Sequence, residues 1–261
     1  MQQSYWIKQG EKPLFPDLLW ARPEVKSAAG KLLVVGGHAQ SFAAPAEAYA
    51  GAEKAGIGVV RVLLPDSLQR TVGKLFPAAE FAPSNPSGGF ATRTLAELLT
   101  HASWADGVLL AGDIGRNSES LAMLENFVGK YPGQLTITKD TADFFCTQPQ
   151  SIVERMDTLL VISMGQLQKL GQALKLPYAF TSDLGMLQQV ELLHDFTLAH
   201  PNLNIITRHH DQYVIAVKSR ICTSPVPSDT PIWRVSSAAS AATWWLQNPT
   251  KPFPALSTSV L

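Results

Sequence analysis

The sequence predicts an α/β protein with three layers: a mainly parallel central sheet and helices on both of its faces. Three observations carry this expectation. Short apolar runs at 32–35, 108–111 and 159–162 are continuous rather than alternating, the mark of strands buried on both sides. Segments of helical period separate the runs, as at Leu121, Leu124, Phe127 and Val128. Strand, helix and strand in succession imply right-handed crossovers, which place helices on both faces.

The elements follow in order. Residues 1–29 read as an irregular segment punctuated by Pro13, Pro16 and Pro23, with Leu14, Phe15, Leu18, Leu19 and Trp20 expected to pack onto the domain. A buried strand at 31–35 ends in Gly36-Gly37. An alanine-rich helix over 43–55 stops at Gly56 and Gly58. A strand at 59–64 closes on Pro65, and Asp66 can cap a helix over 67–75. Residues 82–92 read as a loop. Helices are expected over 94–102, 118–131, 165–174 and 183–200, with a short one ending at Phe145. Strands are expected at 107–111, 135–138, 158–162, 204–207 and 213–217. The tail from 248 to 261, with Pro249, Pro252 and Pro254, reads as irregular. One domain over 1–261 is expected, without repeats.

Composition narrows the function. Lys plus Arg equals Asp plus Glu at 21 each, so no global field draws nucleic acid or an anionic membrane. Charged residues make up 16%, below the typical value of about 25%, which points to covered surface and a homo-oligomer. Cys146 and Cys222 are too few for a disulfide framework and have no metal-ligand spacing. No apolar run has the length of a membrane span, and residues 1–10 lack a signal-peptide core. A cytoplasmic protein is expected.

The best-defined segment is 30–65. A strand ends in two glycines, a loop crosses the sheet edge, and a helix begins near Pro45, where a missing N–H costs nothing. Small residues, Ala43, Ala44, Ala46, Ala48 and Ala50, let that helix lie close to the sheet or to a ligand. The plain reading is a tightly packed βαβ unit.

This segment resembles the opening of the ADP/ATP-dependent NAD(P)H-hydrate dehydratases, which have a ribokinase-like, carbohydrate-kinase-type domain. Gly30, Gly36, Gly37, Ala44, Pro45, Ala52, Gly56, Gly58, Val59 and Pro65 follow the family pattern; Ala43 stands where the family has Gly. Later blocks agree in order. Residues 110–116 (LAGDIGR) resemble IGPGLGR, keeping Gly115 and Arg116 with Asp113 in place of a Gly. Residues 137–144 sit where the family has DADAL, 161–170 resemble TPHPGEFARL, and 206–216 resemble two strands around a KGxxT turn. The likeness spans about 25–247.

The resemblance implies a ribokinase-like fold, ATP or ADP with Mg2+ as cofactors, and a hydrated NADH or NADPH as substrate. Its hydroxyl is phosphorylated and phosphate is then eliminated. It also implies an Asp base and a glycine-rich anion hole at a helix start, in the motif GTGDVL. The matching segment here is 236–242, which places Ser240 at the Asp position and Ala239 among the nucleotide-binding N–H groups. A serine hydroxyl cannot serve as a carboxylate base at neutral pH. Ser163 replaces the substrate-contacting His, and Gln166 the Glu that follows. Arg208 to Gln212 replace KGxxT, although Arg208 can hold a phosphate bidentately. Ala44 and Gly115 are the backbone-type substrate contacts that survive.

Other residues have plainer readings. His38 can line a cleft or be an idle loop residue. Asp113 can touch a ligand or hold its turn. His209-His210 lacks further metal ligands. Trp233, Trp244 and Trp245 pack the last helix or an interface, or fill the space of a nucleotide base. Three functions compete: a nucleotide-dependent lyase using Asp113 or Asp140 as its base, a pseudoenzyme serving as nucleotide-binding or scaffold subunit, and a small-molecule kinase, which meets the same objection at Ser240.

Overall fold

The continuous apolar runs become the centre of a ten-stranded sheet in a computed structural model that describes residues 4–10, 12–226 and 233–261. The strands are β1 (Trp6–Lys8), β2 (Lys31–Gly36), β3 (Val59–Pro65), β4 (Ala79–Ala82), β5 (Gly107–Gly112), β6 (Gln134–Thr138), β7 (Thr158–Val161), β8 (Leu203–His209), β9 (Gln212–Val217) and β10 (Arg220–Pro225). Their order is β1-β10-β9-β8-β7-β6-β5-β2-β3-β4. Only β9 runs against the rest, since it pairs antiparallel with both β8 and β10.

Alternation along each strand divides the core in two. Leu33, Val35, Leu110, Ile137, Leu160 and Ile205 face one way. They are covered by α4 (Thr94–Trp104), α5 (Ser118–Lys130), α6 (Lys139–Thr147), α8 (Met164–Ala173) and α9 (Met186–Ala199). Leu32, Val34, Leu109, Leu159 and Ile206 face the other way, under α2 (Ala43–Lys54), α3 (Gln69–Val72), α10 (Trp233–Gln247) and α11 (Pro252–Thr258). The short helices α1 (Pro16–Trp20) and α7 (Gln150–Val153) complete the set. The expected three layers are present. The alanines of α2 serve its contact with α10: a Cβ on Gly51 would lie 3.1 Å from the Ala239 Cβ.

The two ends differ from expectation. The segment 1–29 is not irregular throughout: β1 pairs parallel with β10, and Trp6 Nε1 donates to Thr223 Oγ1 at 3.1 Å. No local pattern reveals a three-residue strand whose partner lies more than 200 positions away. Leu18 is buried, but Leu19 and Trp20 are exposed, because the single turn of α1 has only one inner face. The tail from 248 is ordered as α11, which buries Phe253, Ala255 and Leu256. Its prolines sit in the first turn, where their missing N–H groups need no partner. The strands β4 and β10 are additions to the expected set, and α9 is shorter than the expected 183–200.

Candidate functional site

Chain direction across the sheet locates the site. From β2 the chain steps outward to β3 and β4, then returns to β5 on the other side of β2. In open α/β sheets, ligands bind at such a reversal, outside the carboxyl ends of the strands. Here those ends are Gly36-Gly37-His38 after β2, residues 112–116 after β5, and Lys139-Asp140 after β6. A cavity of about 380 Å3 opens there, lined by His38, Gln40, Ser41, Asp113, Gly115, Arg116 and Asp140.

Close backbone approach builds this edge. A Cβ on Gly36 would fall 2.3 Å from the Gly112 carbonyl, so the β2 and β5 ends meet only as glycine. At Gly115, φ is +71° and a Cβ would lie 3.0 Å from His38 Cδ2. The imidazole therefore rests on the Gly115 turn as a wall of the cavity.

The floor is polar and heavily bonded. Asp113 Oδ2 accepts from Ser41 Oγ and from the Ala44 N–H, each at 2.8 Å. Asp113 Oδ1 pairs with Lys139 Nζ. Burial raises the Asp113 carboxyl, but the bonds from Ala44, Lys139 and Ser41, with the Lys139 charge, outweigh it and leave the group below its ordinary value. Asp140 has the opposite balance. It accepts from the Asp113 and Ile114 N–H groups at 2.7 and 3.0 Å, yet burial, with some help from the Asp113 charge, pushes it upward. Asp113 and Lys139 both have left-handed backbones, at φ 58° and 56°. Such backbone is sparsely populated for non-glycine residues and clusters at functional sites.

The floor extends to the head of α10. Gln166 Nε2 donates to the Lys139 carbonyl at 2.6 Å. Gln166 Oε1 accepts from the Ser163 N–H and from Arg234 Nη1, both at 2.9 Å. Ser163 and Gln166 thus form the capping box of α8, which is why the sequence starts a helix there. At the neighbouring strand end, the Arg208 guanidinium lies over the Tyr213 and Trp233 rings, 4.5 and 4.6 Å from their centroids, and donates to the Tyr213 hydroxyl. Among the described residues its buried Nε has no partner.

The expected site residues therefore separate. Gly115 lines the cavity, whereas Ala44 is buried behind it with its N–H engaged by Asp113. Ser163 caps α8 at the edge of the network, and Arg208 stands beside the head of α10. Two expectations are corrected. Ala239 is fully buried against Gly51, away from the cleft. Ser240 is not at a helix start: α10 is already helical from Trp233, so Ser240 lies about two turns inside it and donates to the Ser259 carbonyl at 2.8 Å. There it lines a separate groove with Ser236, Ser237 and residues 258–261. The serines at 236–237 read as a helix start because serine favours that position, but the helix begins earlier, where Val235 packs into the core.

Lys139, Arg234, Ser41 and Tyr213 are members that the sequence reading missed. The Lys139-Asp140 pair at a strand end was a usable signal; Arg234 depended on the start of α10. His209 is buried, with Nε2 2.7 Å from the Leu184 carbonyl, a bond that secures the loop before α9. Trp245 packs the core and Trp244 lies under Arg22. Among the described residues, no group of three or more His, Cys, Asp or Glu could hold a metal ion, and no helix is long and apolar enough to cross a membrane.

No family model matches the chain, and no curated protein matches it in sequence. Solved structures do. A ribokinase-like superfamily protein from Enterococcus faecalis V583 is similar with a TM-score of 0.73 at 16% identity, over 100% of this chain and 88% of that one. An ADP/ATP-dependent NAD(P)H-hydrate dehydratase from Bacillus subtilis, co-crystallized with ATP/Mg2+, gives 0.60 at 12% identity over 96% and 86%. A Bacillus subtilis pyridoxal kinase in complex with ADP gives 0.56 at 9% identity over 88% of each chain. Three layers, one strand order with its reversal at β2, and these likenesses have a common meaning: the chain has the ribokinase-like fold.

Proposed function

We propose that this chain binds a small-molecule nucleotide, as its NAD(P)H-hydrate dehydratase neighbour does ATP, but has lost the proton-abstraction step and acts as a nucleotide-binding pseudoenzyme. The observation that carries this reading is Ser240, at the position where the resemblance implies an Asp base: it lies inside α10 and its hydroxyl donates to the Ser259 carbonyl. A serine hydroxyl cannot serve as a carboxylate base at neutral pH. The carboxylates of the neighbouring cleft are engaged as well, Asp113 with Lys139, Ser41 and Ala44, and Asp140 with two backbone amides.

Arg208 fits the phosphate of ATP or ADP. Its planar fork stands beside Trp233 of α10, and among the described residues its buried Nε lacks a partner. Bound there, a nucleotide would supply the transferable phosphoryl group. Mg2+ does not fit equally well, because a cation needs carboxylate oxygens and both local carboxylates are already bonded.

The test is a coupled assay with hydrated NADH and either ADP or ATP. We expect no return of NADH absorbance, and calorimetric binding of ADP that Arg208→Ala weakens by tenfold or more. Nucleotide-dependent return of NADH with clean protein would overturn the inactive reading. A second reading, an active lyase or small-molecule kinase, is favoured by one observation: Asp140 lines the switch-point cavity and has a raised carboxyl suited to a base. On that reading Asp140→Asn abolishes the activity.

A further inference from the structure

Asp113 does more than hold its turn. The head of α2 has no cap of its own: Phe42, at the capping position, contributes no side-chain bond. The Ala44 N–H at the head of the helix is instead answered by a carboxylate brought from the end of β5. Three kinds of donor converge on that carboxylate: a backbone amide, the Ser41 hydroxyl and the Lys139 ammonium. This is the donor set that binds a phosphate or carboxylate group of a ligand. The Asp113 side chain is only 8% exposed, so the pair is no ordinary surface ion pair. It nevertheless borders the open cavity, with Asp140 beside it.

We propose that Asp113 sets the charge of the ligand that this cleft accepts: its carboxylate stands where a ligand's anionic group would otherwise bind, so the part of the ligand entering the switch point is uncharged. An entering phosphate would meet two carboxylates and find Lys139 already paired. An uncharged group bearing O–H or N–H would instead donate to the remaining lone pairs of Asp113 and Asp140. The inference rests on the cleft reading above and refines it: a bound nucleotide keeps its phosphates at Arg208 and directs a neutral hydroxyl- or carboxamide-bearing portion towards Asp113.

Inorganic phosphate alone is the probe. Asp113→Gly and Asp113→Asn both tolerate the left-handed backbone at this position, the second with nearly the same shape. Calorimetry on proteins that all carry Arg208→Ala, which removes the phosphate contact proposed above, should detect no saturable phosphate binding while Asp113 is intact. Both variants should bind phosphate at least tenfold more tightly, and Lys139→Ala added to either should abolish the gain. Folded variants that bind phosphate no better than the parent would overturn the proposal. So would saturable binding to the unaltered protein that shifts the His38 ring resonances, a measurement that needs no variant. Failure of ADP to bind the unaltered protein would instead count against the nucleotide-binding function, so the two failures are distinct.

Discussion

Replacing Gln166 with Leu should destabilise the protein by about 2.5–4 kcal/mol. Gln166 is 3% exposed and makes three bonds with different partners. The bond to the Lys139 carbonyl and the one from the Ser163 N–H are each worth about 1 kcal/mol net, and the bond from the Arg234 guanidinium about 1.5–3 kcal/mol. Leucine is nearly the same size and recovers about 1 kcal/mol through apolar burial. It also leaves the Lys139 carbonyl without its donor, which removes support from a backbone held at φ 56°. Urea unfolding of the parent and the variant, with equal slopes, measures the difference. Gln166→Glu gives the sharper contrast. It keeps an acceptor for Arg234 and Ser163 but sets a second acceptor 2.6 Å from a carbonyl oxygen. The Glu variant should therefore be less stable than the parent at neutral pH and recover on acidification as the carboxyl gains a proton. A loss below about 0.5 kcal/mol for the Leu variant would refute the view that this side chain joins the cleft floor to α10.

Acid should act on Asp113 in a defined direction. Its folded-state value lies below the ordinary 3.8, so its stabilisation is complete above 3.8 and is lost as pH falls through the lower folded value. Asp113→Asn should flatten the stability profile in that acid range, as thermal melts at stepped pH would show. Gly51→Leu should cost about 1–3 kcal/mol by forcing α2 away from α10, since even a Cβ at that position lies 3.1 Å from Ala239. Urea unfolding reads this as a lower midpoint; an unchanged midpoint would mean that the two helices are free to separate.

The fold was legible where the signal was local. The buried strands from β2 to β9, apart from β4, declared themselves through apolar runs between turn residues, and α5 through its helical spacing. Long-range pairing had no such signal. Nothing near Trp6 announces Thr223, and two prolines disguised α11 as a loose tail. The site was legible in part for the same reason. His38, Asp113, Gly115 and Asp140 sit at glycines or strand ends that any reading of the chain marks. Ser240 and Ala239 were misplaced because their role depended on where α10 begins, and alanine and serine allow that start to slide by several residues. Lys139 acquires meaning through Asp113 and Gln166, and Arg234 through Gln166, partners brought from other strand ends.

The pairing of β1 with β10 also governs the order in which the chain can close. Trp6 and its Thr223 partner are 217 residues apart, and Gln9 bonds the Ser257 carbonyl across a separation of 248. At ribosomal rates of about 5–20 residues per second, roughly 10–40 seconds separate the synthesis of β1 from that of its partner. Throughout that interval β1 has no edge to join, and three residues are too few to recruit a stranger. β1 is then seated long after it is made, and the sheet cannot be completed before β10 has left the ribosome.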